Sequence, residues 1–302
     1  MLAVCIPVYN QKVERLVSDL IAQSQHLQEE VSIIIIDDAS SEEFQEQYNN
    51  LRDSATIIQL EINIGRSKIR NAFLQHTSAE YLLFLDCDAE IVRPDFISKY
   101  IDFISLNRPK LLFGASIYQK ESPRIYYRLR WRYGSMKESK SFEDRVNKEK
   151  FTLKTNNFVV CRKTLEAYPF NELIKGYGHE DTLFGFELER NGISISHIDN
   201  PVLNAHLDSN TQFLNKTDEA LKNLFHVWQL SEENEQLLDR LKILKTYFKY
   251  EHSLFIRIAL SILRRPLRFF LEIGFANLIL FNIYRLAYLF MLRSAQRSEL
   301  QL

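Results

Sequence analysis

At 302 residues the chain has room for two domains, or for one of ordinary size with an appendage. Its composition, 46% hydrophobic and 25% charged with no low-complexity tract or repeat, is that of a globular protein. The net charge of −1 carries no global nucleic-acid signature, and three scattered cysteines (Cys5, Cys87, Cys161) without C-x-x-C spacing argue against disulfides or a zinc site and for a cytosolic setting.

Leu2–Pro7 reads as a buried strand stopped by Pro7, too early for a signal peptide's apolar region to form. Gln11–His26 has helical spacing. Val31–Ile36 is a second strand, ending in Asp37 and Asp38, and Ile57–Leu60 a short third. The loop Asn63–Ser67 (NIGRS) feeds a helix over Lys68–His76. Tyr81–Leu85 is an unbroken apolar run, read as a strand covered on both faces, and it ends in Asp86 and Asp88. Alternation of strand and helix over the first ~95 residues predicts an α/β, doubly wound, mostly parallel sheet. In such sheets ligands bind beyond the carboxyl ends of the strands. Two hard oxygen donors there suit a divalent cation, and the cation suits a diphosphate. A solvated turn is the bland reading of Asp-x-Asp alone. The glycine loop matches neither G-x-x-x-x-G-K-[ST] nor G-x-G-x-x-G, so P-loop and dinucleotide readings lack their phosphate cradle.

After Pro94 the expected elements are a helix over Phe96–Leu106 and a strand over Lys110–Ile117. Lys120–Lys150 is basic, with ten Lys/Arg against five acids, and its core RIYYRLRWRYG interleaves arginine with aromatics. A solvated loop or a clamp over an anion fits the neutral whole better than nucleic acid does. Thr155–Cys161 is a further strand and Lys163–Tyr168 a short helix. Gly176–Asp181 (GYGHED) turns into a helix over Thr182–Arg190, so Glu180 and Asp181 fall where the helix dipole favours carboxylate over acid. Plain N-terminal capping would use the same residues. Ile193–Ile198 and Val202–His206 are short strands, and the second delivers His206.

Beyond residue 210, Asp218–Gln229 and Glu232–Tyr250 read as helices. Lys242–Arg268 carries seven basic residues against Glu251, and Phe269–Leu292 is very apolar but holds Glu272 and Arg285. Each charge costs about 2.5–3.5 kcal/mol at mid-bilayer, and the uncharged stretch between them is too short to span. The expectation is a helix over 269–292 lying in a membrane surface beside a polybasic segment, with burial against the preceding domain or a second subunit as the alternative.

Six stretches, VCIPVYN, IIIIDDAS, NIGRSKIRNAFLQHTSAEYLLFLDCDAE, NNFVVCRKTLEAYPFNE, KGYGHEDTLFGFELERNG and NAHLD, occur in the order found in family 2 glycosyltransferases. Residues 1–210 resemble that family's GT-A catalytic domain, with 211–302 a helical C-terminal extension. The Gly-Tyr-Gly-His-Glu-Asp turn with the later histidine looks most like chondroitin polymerases and the galactosyltransferase-like carboxyl-terminal motif, though His179 stands where related motifs often have Gly or Trp.

The resemblance implies that Pro7, Tyr9 and Asp38 hold the uracil, with Arg66 and the pair Arg70-Asn71 near the nucleotide. It implies Asp86 on the ribose or sugar side, and Asp88 with His206 on Mn²⁺ or Mg²⁺. Asp181 matches the general base and Glu180 the acid that orients a sugar. The implied activity is metal-dependent, inverting transfer from a UDP-sugar to a glycan or lipid-linked acceptor, in cell-surface polysaccharide synthesis. The implied place is the cytoplasmic face of a bacterial inner membrane, with homo-oligomerisation through the C-terminal helices as a further expectation and no nucleic-acid partner. Two rivals are a catalytically silent sugar-nucleotide-binding or assembly subunit, and a nucleotidyltransferase; the latter lacks its glycine-rich basic loop after the first strand.

Overall fold

The computed structural model describes residues 1–147 and 153–299, with side chains to 293. It divides into two compact units: Met1–Gln119, Glu138–Leu173 and Phe184–His206 form the first, and Lys120–Lys137, Ile174–Leu183 and Leu207–Leu302 the second. A single cut at 210 therefore does not describe the contacts. The Asn210 amide explains part of this, since it accepts from the Leu129 N–H (3.0 Å) and donates to the carbonyls of Ile125 (3.0 Å) and Glu272 (3.2 Å). Lys148, Glu149 and Lys150 of the basic stretch lie outside the described residues.

The first unit is built on a seven-stranded sheet in the order β3-β2-β1-β4-β8-β6-β9. Its strands are β1 (Leu2–Val8), β2 (Val31–Asp37), β3 (Thr56–Gln59), β4 (Tyr81–Leu85), β6 (Leu111–Phe113), β8 (Asn157–Cys161) and β9 (Ser196–His197). A smaller sheet, β5-β10-β7, combines β5 (Ala89–Ile91), β7 (Ser116–Ile117) and β10 (Val202–Asn204). Strands β1 to β4 are mutually parallel where they pair, and β8 runs antiparallel to both β4 and β6.

The apolar runs are continuous because both faces are covered. Leu2, Val4 and Ile6 pack toward Leu16 and Val17 of the helix Glu14–Ser24 and toward Phe96 and Tyr100 of the helix Phe96–Asn107. Ala3 and Cys5 face a second layer containing Ile69, Phe73, Phe84 and Phe158. There Phe84 and Phe158, register partners on β4 and β8, stack at 5.1 Å, and Phe170 stacks on Phe184 at 4.0 Å.

The strand expected over Lys110–Ile117 is split between the two sheets. A Cβ on Gly114 would fall 1.9 Å from the Tyr100 hydroxyl and 2.6 Å from the Asn157 amide, so the backbone there approaches buried polar atoms that only glycine admits. Ala115 follows with φ 71°, and the chain leaves one sheet for the other.

The second unit is helical: Asn210–Leu230, Glu235–Arg240, Lys242–Tyr250, Leu254–Glu272 and Leu278–Glu299, with Arg128–Tyr133 from the earlier segment. Asn210–Leu230 opens on a capping box between Ser209 and Gln212. Buried Tyr284 donates to Asp218 (2.7 Å), and Arg268 donates to the same carboxylate (2.7 Å), to Asn215 (2.6 Å) and to Glu272 (2.9 Å). Burial raises the Asp218 pKa while these donors lower it.

The run 269–292 is not one helix. Leu254–Glu272 stops before Gly274, whose φ of 102° is the left-handed conformation that ends helices, and Asn277 accepts from the Ile279 N–H (2.8 Å) to start the next. Phe281, Tyr284, Ala287 and Leu289 beyond the break are buried. No helix of the described residues is long and apolar enough to cross a membrane.

Candidate active site

The sheet order fixes where a ligand goes. From β1 the chain moves outward to β2 and β3, then crosses to the other side of β1 for β4. The strand order reverses between β1 and β4, and in open α/β sheets ligands bind beyond the carboxyl ends of the strands at such a reversal. Pro7 is the penultimate residue of β1, exposed Tyr9 lies just beyond it, and Asp86 stands just beyond β4. Asp37 ends the neighbouring β2, and Asp38 lies just beyond it.

Several hydrogen bonds shape this edge. The Asn10 N–H donates to the Ser40 hydroxyl (2.8 Å) and the Ser41 N–H to the Asn10 side chain (2.9 Å), tying the loop after β1 to that after β2. Asn10 and Ala39 both have positive φ, 48° and 60°. Asp37, fully buried, accepts from the Ser40 N–H (2.8 Å), and its charge together with burial pushes the Tyr48 hydroxyl up. Both oxygens of Asp38 accept from the glycine loop, one from the Ile64 N–H (2.6 Å) and one from the Gly65 N–H (3.0 Å). Burial raises the Asp38 pKa, these two donors lower it, and Asp37 beside it raises it again. Asp38 therefore pins the loop that precedes the helix Arg66–Ala72.

That helix presents arginine, not asparagine, to the acids. Buried Arg70 donates to the Arg66 carbonyl (3.1 Å), approaches Asp86 at 3.4 Å and lies over the Phe170 ring. Asn71 uses both ends of its amide on Phe170, donating to the carbonyl (2.9 Å) and accepting from the N–H (2.9 Å), and donates also to Glu172 (3.0 Å). These bonds staple the 170–172 segment to the helix. Arg66, at the helix start, is exposed. Spacing was the usable signal, since Arg70 lies one turn after Arg66 on the same helix face.

The turn after β4 is held by its backbone. The Asp86 N–H donates to the Asn156 carbonyl (3.1 Å), and the Asp86 carbonyl accepts from the Ala89 N–H (3.1 Å). Beneath it the fully buried Asn157 accepts from the Tyr100 hydroxyl (2.6 Å) and donates to the carbonyls of Ala115 (2.8 Å) and Asn200 (2.9 Å). The sequence reading placed no weight on Asn157, a polar residue inside a strand. Cys87 is pushed up to about 12 by burial first and then by the two flanking aspartates, so its thiol stays protonated.

β10 brings the histidine to this turn. It runs antiparallel to β5, and the last pair is Asn204 opposite Ala89, so Asp88 precedes that pair by one residue and His206 follows it by two. Asp88 is half-buried and His206 exposed, and neither has a hydrogen bond or ion pair among the described residues. No group of three or more metal-ligating side chains occurs among the described residues. A carboxylate and an imidazole suit Mn²⁺, with the remaining positions left to diphosphate oxygens and water.

Residues 3–168, more than half of the chain, match the profile described as "Glycosyl transferase family 2". The chain belongs to that family. Among solved structures, S. aureus TarS 1-349 in complex with UDP-GlcNAc is 18% identical, with 97% of this chain and 92% of that one covered and a TM-score of 0.56. The complex of TarS 1-349 with UDP gives 19%, 97%, 91% and 0.55. The mannosyltransferase PcManGT from Pyrobaculum calidifontis, in complex with GDP-Man and Mn²⁺, is 14% identical over 76% of this chain and 64% of that one, at a TM-score of 0.54. At these identities the likeness is one of fold, and it makes the sheet a GT-A sheet. No protein of curated function matches the chain.

The second unit of this family 2 glycosyltransferase carries the Glu-Asp turn. Gly176, Gly178 and His179 have φ of 73°, 101° and 70°. The helix Asn210–Leu230 clamps the turn: Glu219 accepts from the Tyr177 N–H (2.9 Å), and Asn223 donates to the carbonyls of Lys175 (2.8 Å) and Tyr177 (3.1 Å). A Cβ on Gly178 would fall 2.5 Å from that of Ala220. Glu180 and Asp181 occupy the first turn of the helix Glu180–Arg190; Glu180 is buried, and Asp181 accepts from the Thr182 hydroxyl (3.1 Å). Glu219 and Asn223 escaped the sequence reading because they look like ordinary surface polarity on an amphipathic helix.

Proposed function

We propose that the protein transfers a sugar from a UDP-sugar to a hydroxyl of a glycan or lipid-linked acceptor, with inversion and with a divalent ion, in the assembly of a cell-surface polysaccharide. What supports this reading is the β5–β10 register, whose last pair, Asn204 opposite Ala89, lies within two residues of both Asp88 and His206, beyond the carboxyl end of β4 in a family 2 sheet. Asp88 and His206 are the residues suited to hold Mn²⁺ or Mg²⁺, which when bound neutralises charge gathering on the leaving diphosphate. Pro7, Tyr9 and Asp38 face the base, Arg66 and Arg70 lie toward the phosphates, and Asp86, oriented by Arg70, takes the sugar side.

Asp181 is the base in this reading. The acceptor oxygen forms a bond to the sugar's C1 as the bond from C1 to the diphosphate oxygen breaks; UDP departs with that electron pair, and the hydroxyl proton passes to the Asp181 carboxylate. A single displacement inverts the anomeric centre. Glu180 orients the sugar beside it, in the manner of the Glu-Asp motif of chondroitin polymerases.

The test uses UDP affinity by calorimetry, with and without Mn²⁺, alongside UDP release from a panel of UDP-sugars. Asp88→Ala is expected to lose the Mn²⁺-dependent part of UDP binding. Asp181→Asn is expected to keep it and to lose turnover by about 10²–10⁴-fold. The reading fails if the wild-type protein with Mn²⁺ does not bind UDP, or if Asp181→Asn turns over normally.

A further inference from the structure

The helix Leu254–Glu272 leaves a long apolar face in solvent. Phe255 (81% exposed), Ile258, Ile262 (68%), Phe269 and Ile273 recur at steps of three, four, seven and four, one side of a helix about 28 Å long, with Leu263 and Phe270 beside them. The opposite side, Leu260, Leu267 and Leu271, is buried within the second unit. Pro266 sits on the open face between Ile262 and Phe269. Where the helix ends, Gly274 packs directly on Ile125, so the exposed tyrosines Tyr126 (63%) and Tyr127 adjoin that end, between exposed Arg124 and Arg128. Phe275 and Ile279 are exposed next to the same end.

Charge runs along the rim. Arg257, Arg264 and Arg265 line a cleft of about 500 Å³ on this helix, closed on its other side by Phe290 and Met291 of the helix Leu278–Glu299. Arg257 and Arg265 are exposed and have no ion pair or side-chain hydrogen bond among the described residues. From Lys242 to Arg268 the chain holds seven basic residues and one acid.

We propose that this face docks on an anionic phospholipid bilayer. Phe255, Ile258, Ile262, Phe269 and Ile273 enter the acyl boundary, the tyrosines of the RIYYR segment sit at headgroup level, and the three-arginine cleft receives lipid phosphates. The helix lies in the plane of the surface. The chemistry is that of an interfacial amphipathic helix: an apolar side that water does not satisfy, flanked by Arg257 and Arg265, which have no ion pair among the described residues. A polar partner would leave the phenylalanines wet, and a neutral bilayer would leave the arginines unpaired. The docking segment is thus 254–273 with 124–128, not the run 269–292 expected from hydropathy. The inference goes beyond sugar transfer and does not rest on it.

The test is flotation of the purified full chain with phosphatidylcholine vesicles, with or without phosphatidylglycerol, at low and high salt. Wild type is expected to float with the anionic vesicles, less so at high salt. The double variant Phe255→Glu/Ile262→Glu should lose flotation, and Arg257→Glu/Arg265→Glu should weaken it by about tenfold or more, at roughly a factor of five per basic residue near an anionic surface. All four positions are exposed, so unchanged circular dichroism and melting temperature are the control for folding. Equal binding to neutral vesicles, absence of wild-type flotation, or full binding by the double variant would each overturn the proposal. A concentration-dependent dimer that the same variants disperse, without vesicle binding, would assign the face to a second copy of the chain instead.

Discussion

Ala39 holds the loop after β2 in the left-handed region, φ 60°, where an alanine Cβ costs about 1 kcal/mol and glycine costs almost nothing. Ala39→Gly is therefore expected to raise unfolding stability by about 0.5 kcal/mol once the added flexibility of the unfolded chain is counted, and Ala39→Val to lower it by at least about 1 kcal/mol. Urea unfolding of the three proteins decides this; a destabilised glycine variant would mean that the loop is not strained. The positions of Asp88 and His206, each just beyond a strand, were legible in the sequence. The division of labour between Arg70 and Asn71 was not, because which of two adjacent helix residues faces the acids depends on Phe170, 99 positions away. Asp38 was legible as an edge residue, but its two backbone donors come from a loop 26 and 27 residues further on.

Short apolar runs gave away most strands at the scale of elements, since β1, β2, β4 and β8 are buried on both faces and bounded by prolines, acids or polar turns. β5 and the split of β6 from β7 were not visible, because three- and two-residue strands have no period to read and Gly114 is forced by a hydroxyl from another helix. The Gly-Tyr-Gly-His turn makes the same point, since its glycines answer to Glu219 and Ala220 on a later helix. Gly178→Ala adds a Cβ 2.5 Å from that of Ala220 and forces φ 101° on an L-residue. We expect it to destabilise the protein by about 2 kcal/mol and to cut turnover while leaving UDP affinity within about twofold of wild type. Parallel thermal melts, calorimetry and UDP-release assays separate these effects. Loss of UDP affinity with normal turnover would contradict the clamp.

A half-buried histidine shapes how the protein responds to acid. His197 meets the Arg145 guanidinium at 3.4 Å and the Phe113 ring edge-on, and Arg145 itself donates to the carbonyls of Phe113 (3.1 Å) and Ile198 (3.0 Å). Burial first, then the Arg145 charge, lowers the His197 pKa to about 4. Between the ordinary histidine value of about 6.5 and that value, the unfolded chain binds a proton that the folded chain refuses, so stability falls as pH drops through this window. The ring is only half-buried, which sets the loss at about 1–2 kcal/mol. His197→Gln should flatten that part of the stability profile in urea unfolding; an unchanged slope between pH 6.5 and 4 would put the dependence elsewhere. The two-unit arrangement was the least legible feature, since Lys120–Lys137 and Ile174–Leu183 join helices that lie much later in the chain. Strand β4 belongs to the large sheet and β5 to the small one, and only Asp86, Cys87 and Asp88 join them. Both ends are locked, β4 to β8 and β5 to β10, so the link has no slack. Inserting or deleting one residue would turn every side chain of β5 to the wrong face. Lineages descending from this chain can trade the acids by substitution, but the number of residues between the two sheets is heritable as a fixed length.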